Sequence, residues 1–263
     1  MRIFLFCGVL LAAPALAGPR VVVSVVPLAG IVDAVSCGAA EVHILVPPGA
    51  NPATWVPTVR DREAVQAADL VVRVGHPALA FERRWLGDLV ADRDDIGQVE
   101  AASGLPLLDD DPHVWTSPVA LEHMARAVGA ALEETGAAGC LEAYLGRLAV
   151  LREAMADRFA PVAGSRFYVF HPAWGYFARD FGLSQVPIQR HGKEPGPAYL
   201  ARLIDQARAD GARVIIVQPQ FSDQAARTVA AAIGARVVAV DPLARDILVS
   251  LERLAEVLTQ DAA

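Results

Sequence analysis

Apolar residues along this chain follow two alternating periods. A β-branched run over 21–26 gives way to helical spacing over 28–35, and a second strand pattern over 41–46 stops at Pro47-Pro48-Gly49, residue types that end regular structure. The alternation continues as a helix over 58–68, a buried strand over 69–74 stopped by Gly75, a helix over 81–90 and a long amphipathic helix over 117–134. Strands separated by helices predict a parallel α/β lobe.

The glycine-flanked stretch 136–139 breaks this pattern. Beyond it, Leu145, Leu148, Leu151, Met155 and Phe159 fall on one helical face with Arg and Glu on the other, which predicts a helix within 140–161 that joins two lobes. After Pro161 the alternation restarts, with strands over 167–170, 185–189, 213–217 and 236–240 and helices over 174–181, 197–209, 223–233 and onward to 258. The predicted architecture is α/β: two parallel-sheet lobes, 18–139 and 162–263, joined by one long rigid helix, with a cleft between them. In open parallel sheets ligands bind at the carboxyl ends of the strands.

The amino terminus changes the picture of where this fold works. Met1-Arg2, an apolar run over 3–16 and Ala15-Leu16-Ala17 before Gly18 make a positive start, a hydrophobic segment and a small-x-small cleavage site. A signal peptide over 1–17 and a periplasmic location are expected. The run is too short to cross a bilayer, Cys7 lies too early for a lipid anchor, and no later apolar stretch is long enough to span. The protein is therefore expected to be soluble, unanchored and monomeric. The formal net charge is −7 and becomes more negative when Arg2 leaves, which argues against nucleic acid as a partner. Cys37 and Cys140 remain after processing, an even count in an oxidising compartment. A disulfide and two buried free thiols both stay open.

Candidate chemistry gathers where the fold predicts a site. His76, His171, His191 and Asp241 each follow a predicted strand, and His113 sits in Asp111-Pro112-His113-Val114-Trp115, ahead of the long helix of the first lobe. Neutral imidazole and carboxylate suit zinc, and ligands converging from separate loops need no local motif. His43, inside a strand, and His123, inside a helix, read as structural, and Trp115, Trp174 and Tyr176 as packing.

Six strings then fall in order along nearly the whole chain: Val46-Pro47-Pro48-Gly49-Ala50-Asn51-Pro52, Asp111-Pro112-His113-Val114-Trp115, His171 with Trp174-Gly175-Tyr176-Phe177, Gly192-Lys193-Glu194-Pro195, Gln218-Pro219-Gln220-Phe221-Ser222 and Asp241-Pro242-Leu243. Together they resemble the zinc/manganese solute-binding proteins of bacterial ABC transporters. The resemblance implies two α/β lobes linked by a helix, a divalent metal held between them by His113, His171 and Asp241, and partners in an ABC permease and its ATPase. Histidine where the family has Glu or His favours Zn2+ over Mn2+.

Two departures stand out. The family usually carries a histidine directly after the proline that closes the first string, and this chain has Ala53. A methyl group cannot coordinate, so the site has three protein ligands plus water, or another residue fills the gap; His191 and His76 are the candidates, with Glu194 behind them. The histidine-rich loop of many zinc members is also missing, and Leu107-Leu108-Asp109-Asp110-Asp111 stands in that stretch, read as a solvated acidic turn. The alternative function is a zinc-dependent hydrolase or chelatase-like enzyme with an open three-ligand site and Glu194 as base. Against it, the chain has no His-Glu-x-x-His string, nucleophile elbow or phosphate loop. A surface adhesin with a stabilising metal is a third possibility.

Overall fold

The structure is a computed structural model that describes residues 18–93, 95–189 and 195–260. The predicted signal peptide, His191 and Glu194 lie outside the described residues. The first half contains β1 (Arg20–Val23), α1 (Val26–Val35), β2 (Glu41–Ile44), α2 (Val59–Gln66), β3 (Leu70–Arg73), a π-helical turn at Glu82–Leu86 leading into α3 (Gly87–Val90), β4 (Gly97–Glu100) and α4 (Pro118–Glu134). The chain crosses to the second half through α5 (Leu141–Phe159). There follow β5 (Arg166–Val169), α6 (Gly175–Asp180), β6 (Ser184–Pro187), α7 (Pro197–Ala209), β7 (Val214–Val217), α8 (Gln224–Ile233), β8 (Arg236–Ala239) and α9 (Ile247–Thr259).

The two sheets share one plan. Their strand orders are β2-β1-β3-β4 and β6-β5-β7-β8, and every pairing is parallel. The central strands read Arg-Val-Val-Val, Leu-Val-Val-Arg and Val-Ile-Ile-Val, the near-continuous apolar runs that strands covered on both faces require. The edge strand β4 reads Gly-Gln-Val-Glu and is mostly exposed. It is absent from the hydrophobic pattern for that reason: a strand at the sheet margin needs backbone pairing with β3 but buries little of its own surface.

Local signals set several boundaries. At the start of α2, Thr58 Oγ1 accepts from the Asp61 backbone N–H at 3.3 Å while Asp61 Oδ2 accepts from the Thr58 backbone N–H at 2.7 Å, a reciprocal cap. Ser117 caps α4 by accepting from Ala120 N–H at 2.9 Å, and Pro118 occupies the first turn where no N–H is needed. Gly234 stops α8 in the left-handed conformation, φ 73°, which side chains with a Cβ avoid.

Side-chain alternation along the strands divides the interior into three parts. Val21 and Val23 of β1 and Phe167 and Val169 of β5 face one continuous core that also takes residues from α1, α4, α5, α6 and α9. Val22 faces a separate outer cluster with Leu45, Val65 and Phe81, and Tyr168 and Phe170 face another with Leu203, Ile215 and Val229. The predicted stripe Leu145, Leu148, Leu151, Met155 and Phe159 of α5 is buried, joined by Tyr144. The halves therefore meet over a shared apolar core as well as through α5. Polar contacts cross the same junction: Trp115 Nε1 donates to Pro242 O at 2.7 Å, Tyr176 Oη accepts from Leu108 N–H at 2.8 Å, and Arg179 donates to Pro106 O at 3.0 Å. A disulfide joins Cys37 to Cys140, tying the turn after α1 to the start of α5 and settling the choice that sequence left open.

Candidate metal centre

The loops at the carboxyl ends of the strands enclose a cleft of about 270 Å³ between the halves. His113, Trp115 and Ala53 line it from the first half, and His171, Gln189, Gln220, Phe221, Pro242 and Leu243 from the second. A short 3-10 turn at Val114–Thr116 positions His113, and only Phe170 separates His171 from the end of β5. Their imidazoles stand 5.3 Å apart between centroids at 79°. Sequence reasoning placed both at the site, and the structure brings them together.

Each ring is held in the same way. His113 Nδ1 meets Asp111 Oδ1 at 2.6 Å, and His171 Nδ1 meets Gln189 Oε1 at 2.8 Å. Both partners are oxygen acceptors at this contact, so each Nδ1 carries the hydrogen and each Nε2 presents a lone pair. Among the described residues neither Nε2 has a hydrogen-bond partner. An acceptor behind an imidazole that fixes its tautomer is the arrangement of a metal-binding histidine. His113 also packs edge-on against Trp115, centroids 5.4 Å apart, and His171 stacks on Phe221 at 4.6 Å.

Electrostatics favour the neutral imidazole at the second position. Burial, reinforced by the neighbouring His113, lowers the pKa of His171 to about 4, against weaker opposing effects of Gln189 and Asp111. Burial pushes the Asp111 carboxyl up, but the hydrogen bonds it accepts from the ring and backbone of His113 outweigh this and hold the group below its ordinary value. Protons thus bind His171 more weakly in the folded chain than in the unfolded one. Its contribution to stability is complete above its ordinary pKa of 6.5 and is lost as pH falls toward about 4, because the unfolded state takes up the proton first. Urea unfolding of the metal-free protein across this window should show a stability decline that is shallower in His171→Gln; equal slopes would contradict the assignment.

Asp241 does not itself line the cleft but precedes Pro242 and Leu243, which do. Its Oδ1 accepts from Gln220 Nε2 at 2.7 Å and from Leu243 N–H at 2.8 Å, while Oδ2 has no hydrogen-bond partner among the described residues. His76 is not brought to the cleft. It is 3 % exposed, its Nε2 donates to Leu108 O at 3.0 Å and its Nδ1 accepts from Ala78 N–H at 2.9 Å. Both ring nitrogens are spent fixing two turns, and burial lowers its pKa. Among the described residues no three His, Cys, Asp or Glu side chains are grouped closely enough to hold one cation. His113 and His171 are the two candidate ligands whose rings the structure sets against each other.

His43 and His123 have structural partners, Asp61 Oδ1 at 2.8 Å and Ser103 O at 2.8 Å. Asp111 is the residue whose part the acidic-turn reading missed: its side chain is 14 % exposed and it accepts from both the ring and the backbone N–H of His113, the latter at 3.0 Å. The signal was present in the Asp-Pro-His spacing, since an aspartate readily bonds the backbone two residues on. Asp111→Ala is expected to weaken zinc binding by about 10- to 100-fold, the usual cost of removing such an outer partner, measured by chelator competition; an unchanged affinity would contradict this role.

Comparisons with known proteins identify the family. Residues 21–252 match the family model described as ZnuA, zinc-uptake complex component A, periplasmic. The high-affinity zinc uptake system protein ZnuA of Yersinia pestis is 28% identical over 93% of this chain and 89% of its own length. A crystal structure of ZnuA superposes with a TM-score of 0.84 at 29% identity, covering 94% of this chain and 100% of that one. A zinc-bound ZnuA deletion mutant gives 0.82 at 30%, covering 92% and 97%. The match runs from β1 into α9 and takes in the cleft, and this chain belongs to the ZnuA family of periplasmic zinc-uptake components.

Proposed function

We propose that this protein captures a single Zn2+ ion in the cleft as cargo and delivers it to an ABC permease driven by its ATPase. His113 and His171 bind it through Nε2 and Asp241 through Oδ2, with the remaining position taken by water or by His191. The observation that carries this reading is the adjacent pair of imidazoles, each with Nδ1 occupied and Nε2 without a partner among the described residues. Ala53 lines the same cleft, so the family's usual histidine position faces the site but offers only a methyl group.

The shared core argues for how capture happens. Swinging the halves apart as rigid bodies would expose apolar residues of α5, α6 and α9, which is costly in water. Loading therefore proceeds by local movement of the loops around the cleft. Turnover is not part of this function: the donor set binds and releases cargo, and the protein acts as a monomer in the periplasm. X-ray absorption at the zinc edge of the loaded protein should show two or three imidazoles plus oxygen donors. A shell without imidazole scattering would overturn the assignment.

A further inference from the structure

One contact at the cleft points past the choice of ligands to how the site discriminates between metals. Gln220 lines the cleft and its Nε2 donates to Asp241 Oδ1 at 2.7 Å. The orientation of this amide is fixed by chemistry, because a carboxylate only accepts and so must meet the nitrogen. With Leu243 N–H on the same oxygen at 2.8 Å, Oδ1 is occupied twice and Oδ2 is left over. The other end of the amide, Gln220 Oε1, is buried and has no hydrogen-bond partner among the described residues. An unpaired buried amide oxygen is unfavourable, and such a group asks for a role beyond packing. The next residue, Phe221, stacks on His171, so one short segment after β7 braces both candidate ligands of the second half.

We propose that Gln220 is a positioning residue that restricts Asp241 to a single metal-facing oxygen and thereby favours Zn2+ over Mn2+. Zinc is satisfied by four ligands with imidazole among them, whereas Mn2+ favours carboxylate, carbonyl and water oxygens in octahedral sites. An aspartate free to offer both oxygens raises the oxygen count and suits the larger shell. Pinning Oδ1 removes that option while leaving Oδ2 for a four-coordinate ion. The inference rests on the capture function proposed above and names a determinant of its selectivity.

The test measures zinc and manganese affinities by competition in the full protein, in Gln220→Leu and in Gln220→Glu, with Asp241→Ala alongside. For Gln220→Leu the ratio of manganese to zinc dissociation constants should fall by about tenfold or more, the scale on which outer partners act, with the unfolding midpoint unchanged or raised because an unpaired amide has gone. Gln220→Glu should move the ratio in the same direction by adding an oxygen donor. A structural role would weaken both metals alike and leave the ratio where it was; a Gln220→Leu ratio within twofold of the parent overturns the proposal while zinc capture stands. If the parent binds no zinc, or Asp241→Ala binds it as the parent does, the ligand assignment itself fails and this inference falls with it.

Discussion

Replacing His113 or His171 with alanine should lower zinc affinity by on the order of a thousandfold, about 4 kcal/mol, the largest functional effect anticipated for any single change. Each substitution removes an oriented imidazole and abandons its acceptor, Asp111 or Gln189, in a partly buried place. The metal-free fold should survive both, because each ring is only partly buried and stands at the wall of the cleft. Thermal unfolding with and without zinc separates these effects. Zinc should raise the parent's melting temperature, since a ligand that binds only the native state stabilises it, and should leave both variants nearly unmoved. A variant that melts lower without metal yet keeps the full zinc-induced rise would contradict the ligand assignment.

Breaking the disulfide should have the largest effect on stability. Cys37 and Cys140 are 103 residues apart in sequence, and closing a loop of that length restricts the unfolded chain by about 4 to 5 kcal/mol in the chain-entropy description. Serine at both positions should therefore lower the melting temperature by roughly 10 to 20 °C for a chain of this size. The bridge lies at the far end of α1 from the strand tips that form the cleft, so zinc stoichiometry should be retained in the variant that remains folded. A fall of less than about 1 kcal/mol in denaturant unfolding would show that the unfolded chain is already restricted without the bridge.

Elements that announce themselves through their own residues were legible in the sequence. The apolar runs of β1, β3 and β7, the capped starts of α2 and α4, and the buried stripe of α5 all depend on local pattern. The polar edge strand β4 was not legible, because its place is decided by pairing with β3. The site divides the same way. His113 and His171 were singled out from their positions at strand and loop ends, and their rings do lie together. His76 satisfied the same positional rule, but a ring buried between Leu108 O and Ala78 N–H has no nitrogen left to give. The supports of the site, Gln189 behind His171 and Gln220 beside Asp241, are separated from their partners by 18 and 21 residues; such pairings come from sheet order and register, which periodicity does not encode. Asp111 is the exception, since its partner is two residues away and its spacing carries the motif.

The cleft's oxygen and nitrogen donors sit in a chain whose two halves are tied by a common core and by hydrogen bonds that Trp115 and Arg179 donate and Tyr176 accepts. Such a frame keeps the imidazoles in place before cargo arrives, and pre-arranged ligands lose less freedom on binding. The most direct test of that account is a competitive zinc titration of the purified, metal-stripped protein. Tight binding of one zinc ion per chain is predicted, and the absence of stoichiometric zinc binding in the correctly folded protein would contradict it.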